Sequence, residues 1–466
     1  MTFIYLISIY VSTIVSGILV FIAIGHILYK KRSPNSMISW ILAIFFLPFI
    51  SVPLYFIIGI RKRESRSKKE YVKIAKPEKY HKYNISSSEH SVLSLLEKNK
   101  MPSATKNNDI KLILSDTKAF KEMLEQINNS KYSIDICTYV FKFDKTTQIL
   151  LDALEKKAKE GVKVRVLLDI VGSIGAYIKQ GKFKKAKEVG VDIVFFTPIF
   201  KRPFQSYINL RNHRKIYLFD QKILLSGGMN LSDEYMGLEE DEQRWDDLMY
   251  KLIGPSVFHF YYIFCNDWAY AKGEKNNFDI DQSLEFDGSD IVQVVPSGPD
   301  IQVDALYETL LNAIYNAKER IWIVTPYFVP SENIIQSLII AKHKGVDVKL
   351  ITPKHSNHLL ADLGRSPYMR ELNSAGVEVM LYRGNMLHAK AILFDSLAGM
   401  VGSVNFDNRS LFLNYEVVTF VYSKRVVDEL EEWMRSLMDS SNKGMQKPSK
   451  VRETIENIVK VFTPLL

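Results

Sequence analysis

Apolar and polar positions divide this chain into regions with different periodicities. Residues 2–29 contain no Lys, Arg, Asp or Glu, and after Lys30-Lys31-Arg32-Ser33-Pro34-Asn35-Ser36 a second uncharged stretch runs from Met37 to Ile60. Each exceeds the ~20 residues that a helix needs to cross a bilayer. An α-helical transmembrane hairpin over 1–60 is therefore expected. The first stretch lacks the basic start and the A-x-A-like end of a cleaved signal peptide. Pro48 and Pro53 interrupt the second, so a kinked or re-entrant helix is the alternative there. Residues 61–108 turn polar and read as a basic linker with one short helix around Val92 to Leu96.

From 109 onward, short apolar runs alternate with amphipathic ones. Phe120, Met123, Leu124 and Ile127 share one helical face, with Asp116 as candidate cap; Ile134 to Phe141 reads as a strand, Thr146 to Lys159 as a helix stopped by Gly161, and Val162 to Leu168 as a strand. Strand, helix, strand in that order implies a right-handed crossover and parallel pairing. The phrase returns as a helix from Ile301 to Ala317, a strand from Arg320 to Val324, a helix from Asn333 to His343 and a strand from Gly345 to Ile351. The expected organisation is one α/β unit over 109–270, a connecting segment 271–290, a second unit over 291–440, and an amphipathic helix in 441–466 with Val451, Ile455, Val459 and Phe462 on one face.

The duplication extends to chemistry. His213, Lys215, Asp220, Gly227-Gly228 and Asn230 recur at the same offsets as His388, Lys390, Asp395, Gly402-Ser403 and Asn405. The residues after each Lys are β-prone, so His and Lys, two apart on a strand, share a face. The Asp, seven residues from its His, points elsewhere. Two imidazoles and two ammonium groups in one cleft suit phosphodiester chemistry: a neutral His attacks phosphorus, a protonated one donates to the leaving oxygen, and Lys215, Lys390, Asn230 and Asn405 hold the non-bridging oxygens. A Lys beside each His repels a cation, so no metal and no cofactor are expected.

Composition narrows the setting. With 47% hydrophobic residues in 466, the chain can bury a large core, and two cysteines exclude a disulfide framework or a thiolate metal cluster. The net charge is +9, and between Arg61 and Lys82 ten Lys/Arg face only Glu64, Glu70 and Glu78. Directly after an apolar segment, such a run favours anionic lipid headgroups over nucleic acid. The six Lys/Arg from Arg61 to Lys69, against three in the connecting loop, put the catalytic part in the cytoplasm by the positive-inside bias.

The duplicated His-x-Lys-x4-Asp motif resembles the phospholipase D superfamily. Asn212-His213-Arg214-Lys215, Asp233-Glu234-Tyr235, Thr325-Pro326-Tyr327-Phe328-Val329-Pro330 and Asn405-Phe406-Asp407-Asn408-Arg409-Ser410 are similar to the bacterial cardiolipin synthases within it. The resemblance implies two phospholipase D-like α/β/α halves with mixed, mostly parallel sheets and one site at their interface. It also implies a multi-pass protein of the cell membrane that joins two phosphatidylglycerols, with water or another alcohol as the alternative acceptor. Its partners would be phosphatidylglycerol and anionic lipids rather than nucleic acid, and a homo-oligomer is compatible with it. It further implies His213 as nucleophile, His388 as acid and base, and Asp247 and Glu416 as carboxylates that orient the imidazoles. Glu416, in the same half as His388, is expected to support that acid. Gly228 and Ser403 would complete the phosphate-binding turns. Two positions depart from the family: Cys137, where a Glu is common, and Asp246, where an Arg is usual.

Overall fold

The computed structural model describes residues 2–29, 34–58, 91–196, 210–276, 278 and 285–462. The basic run 61–82 lies outside them, as do residues 463–466. Two sets of strands with one connectivity form the core. The first set is β1 (Thr105–Ile113), β2 (Ser133–Thr138), β3 (Lys163–Asp169), β4 (Val191–Phe196), β5 (Ile216–Phe219), β6 (Ile223–Gly227) and β7 (Met249–Ile253). The second is β8 (Asp290–Ser297), β9 (Arg320–Val324), β10 (Phe328–Val329), β11 (Asp347–Pro353), β12 (Glu378–Tyr382), β13 (Ala391–Phe394), β14 (Ala398–Gly402), β15 (Phe406–Asp407), β16 (Glu416–Val421) and β17 (Ser441–Lys443).

Fifteen of these strands make one sheet, ordered β17-β12-β11-β9-β13-β14-β16-β8-β1-β7-β6-β5-β2-β3-β4, while β10 and β15 pair separately. Read outward from the antiparallel β1–β8 seam, both sides follow the same path: the last long strand, the two strands of the motif hairpin, then the crossover strands. The sheet is mixed, but parallel pairing is confined to β2–β3–β4 and β9–β11–β12. The expectation of mostly parallel sheets is corrected here. The strands that carry the motifs are joined by tight turns, and a tight turn permits only antiparallel partners.

The crossover elements match the apolar periodicity within a few residues. Helices Lys145–Lys159 and Glu332–His343 follow β2 and β9 and bury one face each. Ser115, rather than Asp116, caps helix Asp116–Asn129, its side chain accepting from the Lys118 amide. Strand β1 starts at Thr105, inside the stretch read as linker.

At the N-terminus, the expected pair of spans is three helices: α1 (Thr2–Tyr29), α2 (Pro34–Phe46) and α3 (Pro48–Ile58). The second apolar stretch breaks at Leu47 because Pro48 carries no amide hydrogen and starts a new helix instead. At ~1.5 Å per residue, neither α2 nor α3 alone covers a ~30 Å hydrocarbon layer. α1 has the length of a span, 28 residues, but the side chains of residues 2–9 and of Ser12 are not among those described. Among the described residues, no helix is long and apolar enough to cross a membrane. The three helices pack around Trp40 and Tyr55 and turn Phe21, Phe45 and Phe49 outward. Helix Lys450–Phe462 bridges them to the second half: its Val461 carbonyl accepts from Ser39, and its Glu456 pairs with Arg370 of helix Leu359–Ser374.

Candidate active site

His213 and His388 each sit just before a short buried strand, β5 or β13, and are pinned by backbone of the opposite half. The His213 amide donates to the Tyr415 carbonyl at 2.9 Å, and the His388 amide to the Asp246 carbonyl at 2.7 Å. Tyr415 and Asp246 each precede a carboxylate. Glu416 and Asp247 are thereby carried across the seam to the histidine of the other half.

His213 Nδ1 lies 2.9 and 3.1 Å from the two oxygens of Glu416, and His388 Nδ1 lies 2.7 Å from Asp247 Oδ2. The carboxylates are thus exchanged between the halves. Glu416, expected to support His388, serves His213 instead, because the strand starts pair across the interface. A carboxylate on Nδ1 leaves Nε2 as the ring atom for chemistry.

The small residues of each turn make these contacts geometrically feasible. A Cβ built on Gly228 would stand 2.1 Å from Asp247 Oδ1, so only glycine leaves room for that carboxylate. In the second half Ser403 occupies the equivalent place, and its hydroxyl donates to Glu416 at 2.5 Å.

Lys215 and Lys390 are buried. Lys215 Nζ donates to the His213 carbonyl at 2.9 Å, and Lys390 Nζ lies 2.7 Å from His388 Nδ1 and 3.0 Å from Nε2. Burial pushes the Lys215 ammonium down to about 7 against the pull of Glu416, and Lys390 down to about 8 against Asp247. Burial, then Lys390, lowers His388 to about 3 while Asp247 opposes; His213 is lowered by burial with Glu416 opposing. Burial would raise Asp247, but Lys390 and His388 outweigh it and hold that carboxyl below the usual range. Both shifts favour the neutral imidazoles, and the negative charge of a phosphate would favour the cations.

His213, His388, Asn230 and Asn405 line one cavity of about 620 Å³. Asn230 Oδ1 accepts from the Val140 amide at 3.1 Å and the Thr138 hydroxyl at 3.4 Å, and its side chain also hydrogen-bonds Tyr235. Asn405 Oδ1 is buried without a hydrogen-bond partner among the described residues. Aromatic rings flank the imidazoles: Tyr139 lies edge-on 4.8 Å from His213, and Tyr235, edge-on, and Trp245, tilted, lie 5.1 and 5.3 Å from His388.

Asp220 and Asp395, included among the catalytic residues in the motif, belong elsewhere. Five residues beyond its Lys along a strand of ~3.3 Å rise, each sits about 16 Å from the chemistry. Asp220 accepts from the amides of Lys131, Tyr132 and Ser133 at 2.7 to 2.9 Å, and Asp395 from those of Lys318, Glu319 and Arg320 at 2.8 to 3.1 Å. Both hold φ of +51° at the hairpin turn, a conformation Asp tolerates better than most residues. They clamp the turn to the first crossover strand.

Sequence reasoning passed over Arg214, the residue between His213 and Lys215. It is fully buried and binds Asp267 at 2.7 Å, Asp300 at 3.1 Å and the Glu416 carbonyl at 3.0 Å, locking the two halves together. A charge alternating with His and Lys on one strand was the available signal, since parity sends it to the opposite face. The two departures are accommodated: Cys137 is buried beside Asn212, and Asp246 accepts from the Tyr382 hydroxyl at 2.9 Å.

A family model described as "Cardiolipin synthase, PLD-like domain" matches residues 123–245 and 310–438, one segment in each half. The chain belongs to the cardiolipin synthase family. A second model, "Phospholipase_D-nuclease N-terminal", matches residues 18–59. Among full-length relatives, cardiolipin synthase 1 of Bacillus cereus is 31% identical over 94% of this chain and 91% of its own. A cardiolipin synthase of Clostridium perfringens is 33% identical over 94% and 95%. The phosphatidylserine synthase of Haemophilus influenzae has the same fold, with a TM-score of 0.59 at 15% identity over 76% of this chain and 93% of that one. Each matched segment contains one of the two histidines that line the shared cavity.

Proposed function

We propose that the chain is a phosphatidyltransferase that makes cardiolipin from two molecules of phosphatidylglycerol. The observation that carries this is the shared cavity lined by two carboxylate-oriented imidazoles, each with a buried lysine two residues on. In the first step His213 Nε2 attacks phosphorus; a nitrogen–phosphorus bond forms, the bond to the headgroup glycerol oxygen breaks, and His388 gives that oxygen its proton. In the second step a hydroxyl of another phosphatidylglycerol attacks, its proton passes to His388, and the nitrogen–phosphorus bond breaks. Lys215 and Lys390, with the amide groups of Asn230 and Asn405, would hold the non-bridging oxygens as charge builds. His213 is named as nucleophile by family resemblance. The exchange of carboxylates removes Glu416 as an argument for His388 being the acid.

The catalytic unit would stand on the inner face of the cell membrane, anchored by residues 1–60 and attracted by the basic run 61–82. Support comes from the outward Phe21, Phe45 and Phe49, and from Leu359 and Leu360, exposed at the start of a helix whose next turn lines the cavity. Apolar surface of this kind is stable when covered by lipid. Purified protein in vesicles of phosphatidylglycerol should release glycerol and accumulate cardiolipin. Phosphatidic acid as the only product would instead identify water as the acceptor and a phospholipase D.

A further inference from the structure

An amphipathic helix on a protein surface ordinarily buries its apolar side and shows its polar side to water. The C-terminal helix Lys450–Phe462 does the reverse. Its inward side is polar: Glu456, fully buried, pairs with Arg370 of helix Leu359–Ser374 at 2.6 Å and with Arg452, one turn back, at 2.8 Å. Lys460, one turn on, lies 3.6 Å from Glu371 and 4.6 Å from the centre of the Tyr368 ring. Val451, Ile455 and Ile458, spaced i, i+4 and i+7, form one stripe, and at about 100° per residue that stripe lies on the side opposite Glu456 and Lys460. With only the described residues around them, these three side chains are 72, 46 and 55% exposed.

The neighbours of the helix indicate what covers the stripe. At its C-terminal end the Val461 carbonyl accepts from Ser39 of α2 at 2.8 Å, and Ile38, Leu42 and Val461 itself are exposed, so apolar side chains of both elements flank this contact. On its inner side it packs along helix Leu359–Ser374, which begins with the exposed Leu359 and Leu360 and lines the cavity with Leu360, Ala361 and Gly364. The helix is thus attached to both regions that the membrane setting puts against lipid. At 13 residues it is about 20 Å long, short of the ~30 Å of a hydrocarbon layer, so in a bilayer it can only lie flat. A protein partner fits less well. Three side chains supply far less than the roughly 1,200 Å² that a stable protein–protein interface buries.

We propose that helix Lys450–Phe462 is a membrane-surface helix, with Val451, Ile455 and Ile458 seated among the acyl chains just below the lipid headgroups. Through the Glu456–Arg370 pair it holds helix Leu359–Ser374, and with it the cavity mouth, at the bilayer from which substrate is drawn. This rests on the membrane setting proposed above and adds a point of contact outside residues 1–60.

The test reads the stripe directly. Cys137 and Cys265 are buried, so the full chain can be labelled at one introduced cysteine with a nitrobenzoxadiazole dye and reconstituted in phosphatidylglycerol vesicles with or without lipids carrying a nitroxide on the acyl chain. The dye in Ile458→Cys should be quenched about twofold or more, since the apolar side of such a helix sits ~5–10 Å into the headgroup–acyl boundary, and the dye in Asn457→Cys, off the stripe, should be quenched less. Equal quenching at the two positions in protein that floats with the vesicles overturns the assignment. Blue-shifted emission without quenching also overturns it, because protein, such as a second copy of the chain, would then cover the stripe. Protein that does not float with the vesicles at all removes the membrane setting as well, which is a different result. For the hold on the cavity mouth, Ile455→Glu and Ile458→Glu together should raise KM on vesicles about 10-fold, as expected when a buried aliphatic contact is lost. Turnover of short-chain, soluble phosphatidylglycerol should stay unchanged. An equal loss on both substrates, or none on vesicles, contradicts that hold.

Discussion

In the first half a glycine, Gly228, clears the space through which Asp247 reaches its histidine, whereas in the second half a hydroxyl, Ser403, holds the longer Glu416. Between His and Lys, one half has Arg214, buried on two carboxylates, and the other has Ala389. The cavity walls carry Lys142 and Glu234 on one side and Asp407 and Arg409 on the other. The frame is repeated; the chemistry on it is not. A transferase that treats donor and acceptor differently gains from this, since a strictly symmetric site would bind two lipids alike and give neither histidine a distinct task.

The exchange of carboxylates gives the sharpest way to break the comparison. Asp247→Asn and Glu416→Gln should each lower turnover by roughly 10²- to 10⁴-fold, as loss of a histidine-orienting carboxylate does in hydrolytic triads. With a p-nitrophenyl donor, which needs no acid, the first step should recover in Asp247→Asn and stay impaired in Glu416→Gln. The opposite pattern would return each carboxylate to its own half.

Arg214→Ala should cost about 3–5 kcal/mol in unfolding, because Asp267 and Asp300 are left charged and buried. Ala389→Gly, at the equivalent place, should cost about 1 kcal/mol or less. Chemical denaturation of both variants would tell; equal losses would mean that Arg214 does not lock the halves.

The lysines differ as well. Below about 7 both ammonium groups are protonated, and as pH rises through about 7 for Lys215 and about 8 for Lys390 the cations that receive phosphate are lost. The profile of kcat/KM, which reports the free enzyme, should therefore fall on its alkaline side between these values. A plateau reaching beyond pH 9 would show that the lysines stay charged in the empty site.

Where the halves agree, the variants should agree. Asp220→Asn and Asp395→Asn should each lower stability by about 1–3 kcal/mol through weakened bonds to three amides, with the folded protein still turning over. Loss of turnover at unchanged thermal stability would restore a catalytic role for these residues.

Much of this was legible along the chain. Equal offsets gave the duplication away, strand parity put His and Lys on one face and the Asp on another, and apolar periodicity located the crossover helices. The pairing of His213 with Glu416 spans 203 positions; nothing local encodes it, and it follows only once both halves face each other about the β1–β8 seam. The helix break at Pro48 was visible as a proline in an apolar run, although whether a proline kinks a helix or divides it depends on the packing around it.

The central claim is that the two motifs act on one phosphorus with His213 making the covalent bond. It is tested most directly by trapping the intermediate in His388→Ala with a p-nitrophenyl phosphatidyl donor and mapping the modified residue by mass spectrometry. The account predicts a phosphatidyl adduct on His213 and none in His213→Ala. Labelling that persists in His213→Ala and maps to His388 would contradict it.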